Sequence, residues 1–236
     1  MARSDGRHPM KVAVQISRAR FDGRGWRVIR PERGTHNATL IDCGGWRELF
    51  IDRRSAYQLG VLWLLAARSR RTVIHLPLRG GRQPAEPAFD GTRLDLVLTH
   101  HTVQLRASLW PRLRSALGPA RPHTVRIPST DMPDPDTIDY MARHRRENAD
   151  LLHERIHADT LFLTGSAPVF RETADRFLDI AFRAPGSAPG EETPHHCCTE
   201  FHEFDGILRN SGGIHVQYHA RWLPSRPAEL QLRSAR

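Results

Sequence analysis

With 236 residues, 39% of them hydrophobic and 7% aromatic, the chain has material for one large domain or two small ones whose core needs no staple. No apolar run nears the roughly 20 residues that span a bilayer, and no apolar stretch follows the basic residues 1–10, which argues against a membrane helix and a secretory signal and makes the cytoplasm the expected compartment. The formal charge of +9 invites a polyanionic partner such as nucleic acid, yet Lys11 is the one lysine beside 34 arginines, and pairs such as Arg53-Arg54, Arg70-Arg71 and Arg145-Arg146 are scattered along the chain.

Residues 1–10 read as a disordered basic tail. Residues 11–52 read as β-rich: Val12, Val14 and Ile16 alternate with smaller or polar side chains, and short strands are predicted at 25–29, 38–42 and 48–51 between Gly-containing turns. Residues 53–68 predict a helix apolar over most of its circumference, hence buried. Strands follow at 72–76 and 94–99, around a Gly/Pro-rich loop at 80–91. Leu105, Leu109, Leu113 and Leu117 suggest a helix over 103–117 that Pro111 must kink or split. A strand at 124–127 and a Pro/Asp-rich loop lead to a long predicted helix over 136–157, capped by Asp134 or Asp136. Then come a strand at 160–164, a helix at 167–183, a Pro/Gly/Glu linker at 184–194 and a His/Cys-rich extension over 195–236 with a strand near 214–220. Apolar strands alternating with amphipathic helices over 11–183 predict an α/β fold: a mainly parallel sheet flanked by helices, with a β-rich N-terminal portion and a His/Cys-rich C-terminal extension.

Two stretches carry metal-ligand chemistry. His153-Glu154-Arg155-Ile156-His157 matches the H-E-x-x-H of zinc peptidases. On a helix, His153 and His157 would share one face and hold Zn, with Glu154 as general base. Against this stand the charged Arg155 and the flanking Asp150 and Asp159, which fit a solvated helix face. Glu172, with Asp175 nearby, is the nearest third ligand and resembles the order of ligands in the Glu-zincins without their local motif.

The second stretch runs from His195-His196-Cys197-Cys198 through Glu200, His202, Glu203 and Asp205 to His215 and His219. No standard zinc spacing occurs in it. If 199–205 is a strand, Glu200 and His202 share a face, as do His215, Gln217 and His219 on the next strand. His202, His215 and His219 would then supply three nitrogens to Zn or Fe, with Glu200 as acid/base. Exposed imidazoles and ordinary thiols are the plainer reading.

Weaker candidates lie at strand ends. Gly165-Ser166 and Gly80-Gly81, the latter between Arg79 and Arg82, suit anion binding or simple capping. Cys43 is a possible nucleophile with His100 or His101 as base. The expected function is a metal-dependent hydrolase acting on a small-molecule or peptide substrate through a metal-activated water. The alternative is a non-enzymatic protein binding a nucleotide or nucleic acid through arginines at strand ends. No membrane partner is expected.

Overall fold

The chain is seen in a computed structural model that describes residues 9–35, 37–85, 90–132, 134, 138–184, 197–210 and 212–224. Residues 1–8, most of the linker at 184–194, His195, His196 and the tail from 225 onward lie outside the described residues.

Eleven strands among the described residues form one mixed sheet. Strand β1 (Met10–Phe21) and β2 (Arg24–Pro31) make a long hairpin. Its two-residue turn, Asp22-Gly23, has φ of 53° and 68°, the doubly positive conformation that matches strand twist in tight hairpins. Strand β7 (Arg121–Ile127) covers the other edge of β1, and β5 (Val73–Leu76) runs parallel to β2. Strands β3 (Ala38–Asp42) and β4 (Arg47–Ile51) form a second antiparallel pair.

Strand β6 (Thr92–His100) is the branch point. Residues 92–94 pair with β3, residues 96–99 with β5, and residues 95–100 with β9 (Thr160–Gly165). Strand β8 (His153–His157) closes a second hairpin onto β9 through Ala158 and Asp159, both at positive φ. The far end of the sheet is β11 (Ile214–Tyr218), parallel to β4, followed by β10 (Cys198–Phe201), antiparallel to β11.

Helix α1 (Arg53–Arg68) starts where the Asp52 side chain accepts from the Ser55 N–H at 2.6 Å. Helix α3 (Ala167–Arg183) starts on Ser166, whose hydroxyl accepts from the Val169 N–H. The two helices pack side by side on one face of the sheet, over the larger core. Trp63 of α1 sits among Phe170, Phe177 and Phe201 there, its indole N–H donating to Thr173 at 2.8 Å. A smaller core, with Val28, Val73, Val97 and Phe162, lies on the other face under Val103, Ala107 and the short helix α2 (Trp110–Ser115).

Two expectations fail. The sheet is not mainly parallel: seven of its ten pairings are antiparallel, and three α-helices accompany it among the described residues. The continuous burial of β6, which suggests a parallel strand, arises instead because a core covers each face of the sheet at that point. The helix expected over 136–157 is also absent: Tyr140–His144 forms one 3-10 turn and His153–His157 a strand. That stretch is charged and rich in helix formers but has no apolar stripe to bury, so pairing with β9 decides its conformation. Pro111 stands in the first turn of α2, which is only six residues long and follows a separate 3-10 turn at Ala107–Leu109.

Candidate functional site

Strands alternate their side chains between two faces. At the β10–β11–β4 end, Phe201, Ile214, Val216 and Leu49 point into the core beneath the helices. Glu200, His215 and Glu48 must therefore occupy the opposite face, and the register sets them in one row: Glu200 opposite His215, His215 opposite Glu48.

Glu48 is fully buried although it is a carboxylate. Its oxygens lie 3.1 and 3.3 Å from Nδ1 of His215, and Gln217 Nε2 donates to it at 3.2 Å. Trp46, 43% exposed, stacks its indole beside the His215 ring. With Nδ1 turned to Glu48, His215 presents Nε2 to Glu200, 3.8 Å from Oε1. The other Glu200 oxygen lies 2.7 Å from Nε2 of His202. A Cβ on Gly213 would come within 2.7 Å of the His202 ring, so glycine is required for that ring's position. The result is an alternating chain of carboxylates and imidazoles, buried at Glu48 and open to solvent at Glu200 and His202.

Of the residues proposed from sequence, Glu200, His202 and His215 come together. His219 does not join them. It lies four residues beyond His215, roughly 13 Å along an extended chain, and packs edge-on to Phe50 at 5.3 Å and against Trp222. Among the described residues, no group of three or more His, Cys, Asp or Glu side chains is placed so that it could hold a metal ion.

The H-E-x-x-H segment is not the helical pair of ligands that its spacing suggests. On β8, His153 and His157 share a face but stand roughly 13 Å apart along the strand, too far for bonds of about 2 Å to one ion. Both are exposed. Glu154 points the other way and is buried, where it accepts the Asn210 backbone N–H at 3.1 Å and lies 3.8 Å from Arg47 Nη1. Burial raises its pKa against the opposing pull of these partners. Asn210 also donates from its side chain to the Glu154 carbonyl, and Arg47 donates to the Gly212 carbonyl. Glu154 thus ties the 207–212 segment to β8, a structural task.

The thiol proposal also fails on topology. Cys43 follows Asp42, which pairs with Thr92 at the start of β6, whereas His100 ends that strand. The two ends are roughly 26 Å apart at the usual strand rise. Burial, then Glu48 and Asp42, push the Cys43 thiol up, and burial, Glu200 and Glu48 do the same to Cys198, so neither is primed as a thiolate. Ser166 serves as a helix cap. Arg79 is engaged by Asp95 and Asp159. Glu172 pairs with Arg143 rather than facing His153 or His157.

A second buried ionic group lies on the smaller-core side. Asp95, 4% exposed, accepts the Arg79 N–H at 3.1 Å and has His75, Arg79 and Arg114 within 3.6 Å. Burial would raise its pKa, but His75 and the Arg79 N–H outweigh burial and the net shift is downward. His75, packed against Trp110, is lowered by burial despite Asp95. A lowered imidazole is neutral at pH 7, so the positive charges facing Asp95 are the two arginines.

Sequence reasoning missed Glu48 and Trp46, and placed Gln217 on the His215 face without giving it a role. The available signal was one carboxylate inside the apolar strand segment Arg47–Ile51; its partner lies 167 residues away.

No family model matches the chain, and neither a curated protein nor a solved structure matches it. No described helix is long and apolar enough to cross a membrane.

Proposed function

We propose that the chain is a metal-dependent hydrolase whose centre is His202, His215 and Glu200, with Glu48 holding His215 from behind. The observation that carries this reading is the buried contact between Glu48 and Nδ1 of His215, which leaves Nε2 facing Glu200, whose other oxygen meets His202. A buried carboxylate on the far nitrogen of an imidazole is the usual support of a metal-ligating histidine.

Bonds of about 2.1 Å at tetrahedral angles set neighbouring donor atoms about 3.4 Å apart. His202 and His215 meet different oxygens of Glu200, at 2.7 and 3.8 Å, so the carboxylate bridges the two imidazoles. A shared ion would require the Glu200 and His202 side chains to rotate from these positions. Two imidazoles and one carboxylate suit Zn²⁺ or Fe²⁺ and leave positions open on the solvent side. A metal held by these residues would supply Lewis-acid chemistry and a water of lowered pKa. The protein's own part is to hold Nδ1 of His215 against Glu48 and Gln217, to place Trp46 beside the opening, and to offer Glu200 as a proton acceptor or ligand.

Metal titration followed by elemental analysis tests this. One Zn²⁺ or Fe²⁺ per chain is expected, with chelator-sensitive hydrolysis in a panel of ester and peptide substrates. His202→Ala and His215→Ala should abolish binding. Glu48→Gln should weaken it by about 10- to 100-fold, the usual effect of losing a supporting carboxylate. A protein that takes up neither metal, or whose binding is unchanged in the His202 and His215 variants, overturns the proposal.

A further inference from the structure

Towards the end of the sheet opposite β10, the tip of the β1–β2 hairpin forms a groove of about 530 Å³ lined by Arg18, Arg20, Arg27, Arg71 and Trp26. Ala19 and Trp26 turn into the smaller core, so Arg18, Arg20 and Arg27 stand on the opposite face, beyond the C-terminal end of α1. Arg71 comes from the turn that follows α1.

The register places Arg18 directly opposite Arg27. Like charges facing each other across a strand pair are destabilising, and this pair has no neutralising carboxylate: among the described residues Arg18, Arg20, Arg27 and Arg71 make no ion pair. Asp22 in the hairpin turn is the hairpin's own carboxylate, and Asp131 is taken by Arg68. Arg27 donates to Thr72 at 2.8 Å, which keeps its guanidinium in the groove wall. Opposite Arg20 is Gly25, and nothing lies within 4 Å of where a Cβ there would sit, so the groove stays open.

We infer that this groove binds the phosphodiester backbone of an extended nucleic-acid strand. Four guanidiniums without a carboxylate partner, along one concave surface, match a run of phosphates, to which arginine donates in pairs. A net charge of +9 adds long-range attraction for any polyanion. None of the large exposed hydrophobic side chains among the described residues belongs to the hairpin. A peptide partner would seek such anchors, as would a membrane surface; a phosphate chain needs only charge and width.

Fluorescence anisotropy with a short labelled single-stranded oligonucleotide tests the inference on the full chain. Each phosphate neutralised on a single strand adds about 0.7 to the magnitude of the salt slope, so four contacts predict about 50-fold weaker binding for a fourfold rise in salt. Arg18→Gln/Arg20→Gln should weaken binding on the order of tenfold at low salt and halve that slope. Arg71→Gln, outside the strands, should act in the same direction and guards against a misfolded hairpin. Arg145→Gln/Arg146→Gln removes equal charge elsewhere and should change little. Absence of binding at low salt, equal loss in the Arg145/Arg146 control, or tighter binding of polyglutamate than of the oligonucleotide overturns the inference.

Discussion

Glu154 and its two flanking histidines differ sharply in what the fold asks of them. His153 and His157 sit on the solvent side of β8, whereas Glu154 satisfies a backbone N–H of the segment at its back. Exposed substitutions away from special features stay within about 0.5 kcal/mol. His153→Ala/His157→Ala should therefore leave both the urea midpoint and metal uptake unchanged. Glu154→Ala strips the Asn210 N–H of its acceptor and leaves the Arg47 guanidinium facing an empty space. Loss of about 1–3 kcal/mol is expected, with earlier proteolytic cleavage near 207–212. A metal-free phenotype for the histidine pair would restore the peptidase-like reading of this segment; unchanged stability in Glu154→Ala would refute its structural role.

Among the elements, the α1–α3 contact is the most tightly specified. Gly60 of α1 faces Leu178 of α3 so closely that a Cβ would lie 2.6 Å from Leu178 Cγ. Alanine in a helix gains about 1 kcal/mol over glycine. Here the clash is with a branch-point carbon of a buried side chain, and overpacking of that kind costs about 1–3 kcal/mol. Gly60→Ala should thus be neutral or destabilising by up to about 2 kcal/mol in urea denaturation, against the gain an exposed helical site would give. Stabilisation would mean that the two helices separate more easily than their packing implies.

At the scale of the whole molecule, the buried imidazoles govern the response to acid. His75 and His100 are each lowered from 6.5, in both cases by burial first, with His101 and Arg70 adding repulsion at His100. A depressed imidazole binds fewer protons folded than unfolded, so stability is present above about pH 6.5 and is lost as pH falls towards the folded values. Glu154 and Asp175, raised mainly by burial, act in the opposite sense. His75 and His100 are both buried, and His75 is held between Asp95 and the Trp110 ring. The urea midpoint should fall between pH 7 and pH 5, and His75→Gln should flatten that dependence even though it lowers the midpoint overall. An unchanged slope in the variant would assign the effect to other groups.

What could be read from the sequence follows from the range of the interactions. Helices α1 and α3 were legible because their apolar stripes lie within the segments themselves, and at α3 because the Ser166 cap adjoins the stripe. Strands β3 and β9 were legible for the same reason, as short apolar runs between turns. Glu200, His202 and His215 could be grouped because they fall within a few residues of one hairpin. The conformation of 153–157 was not legible: its charged residues suit a helix, and only the neighbouring β9 makes it a strand. Strand direction was equally hidden, since an apolar run buried on both faces looks the same whether its neighbours are parallel or antiparallel. Composition, local periods and turn residues are properties of the sequence by itself, and they determined where most elements begin and end. Which strand lies beside which was decided only by tertiary packing, and with it the burial of Glu48 behind His215 and the facing arginines of the hairpin, because those contacts join residues that no local pattern connects.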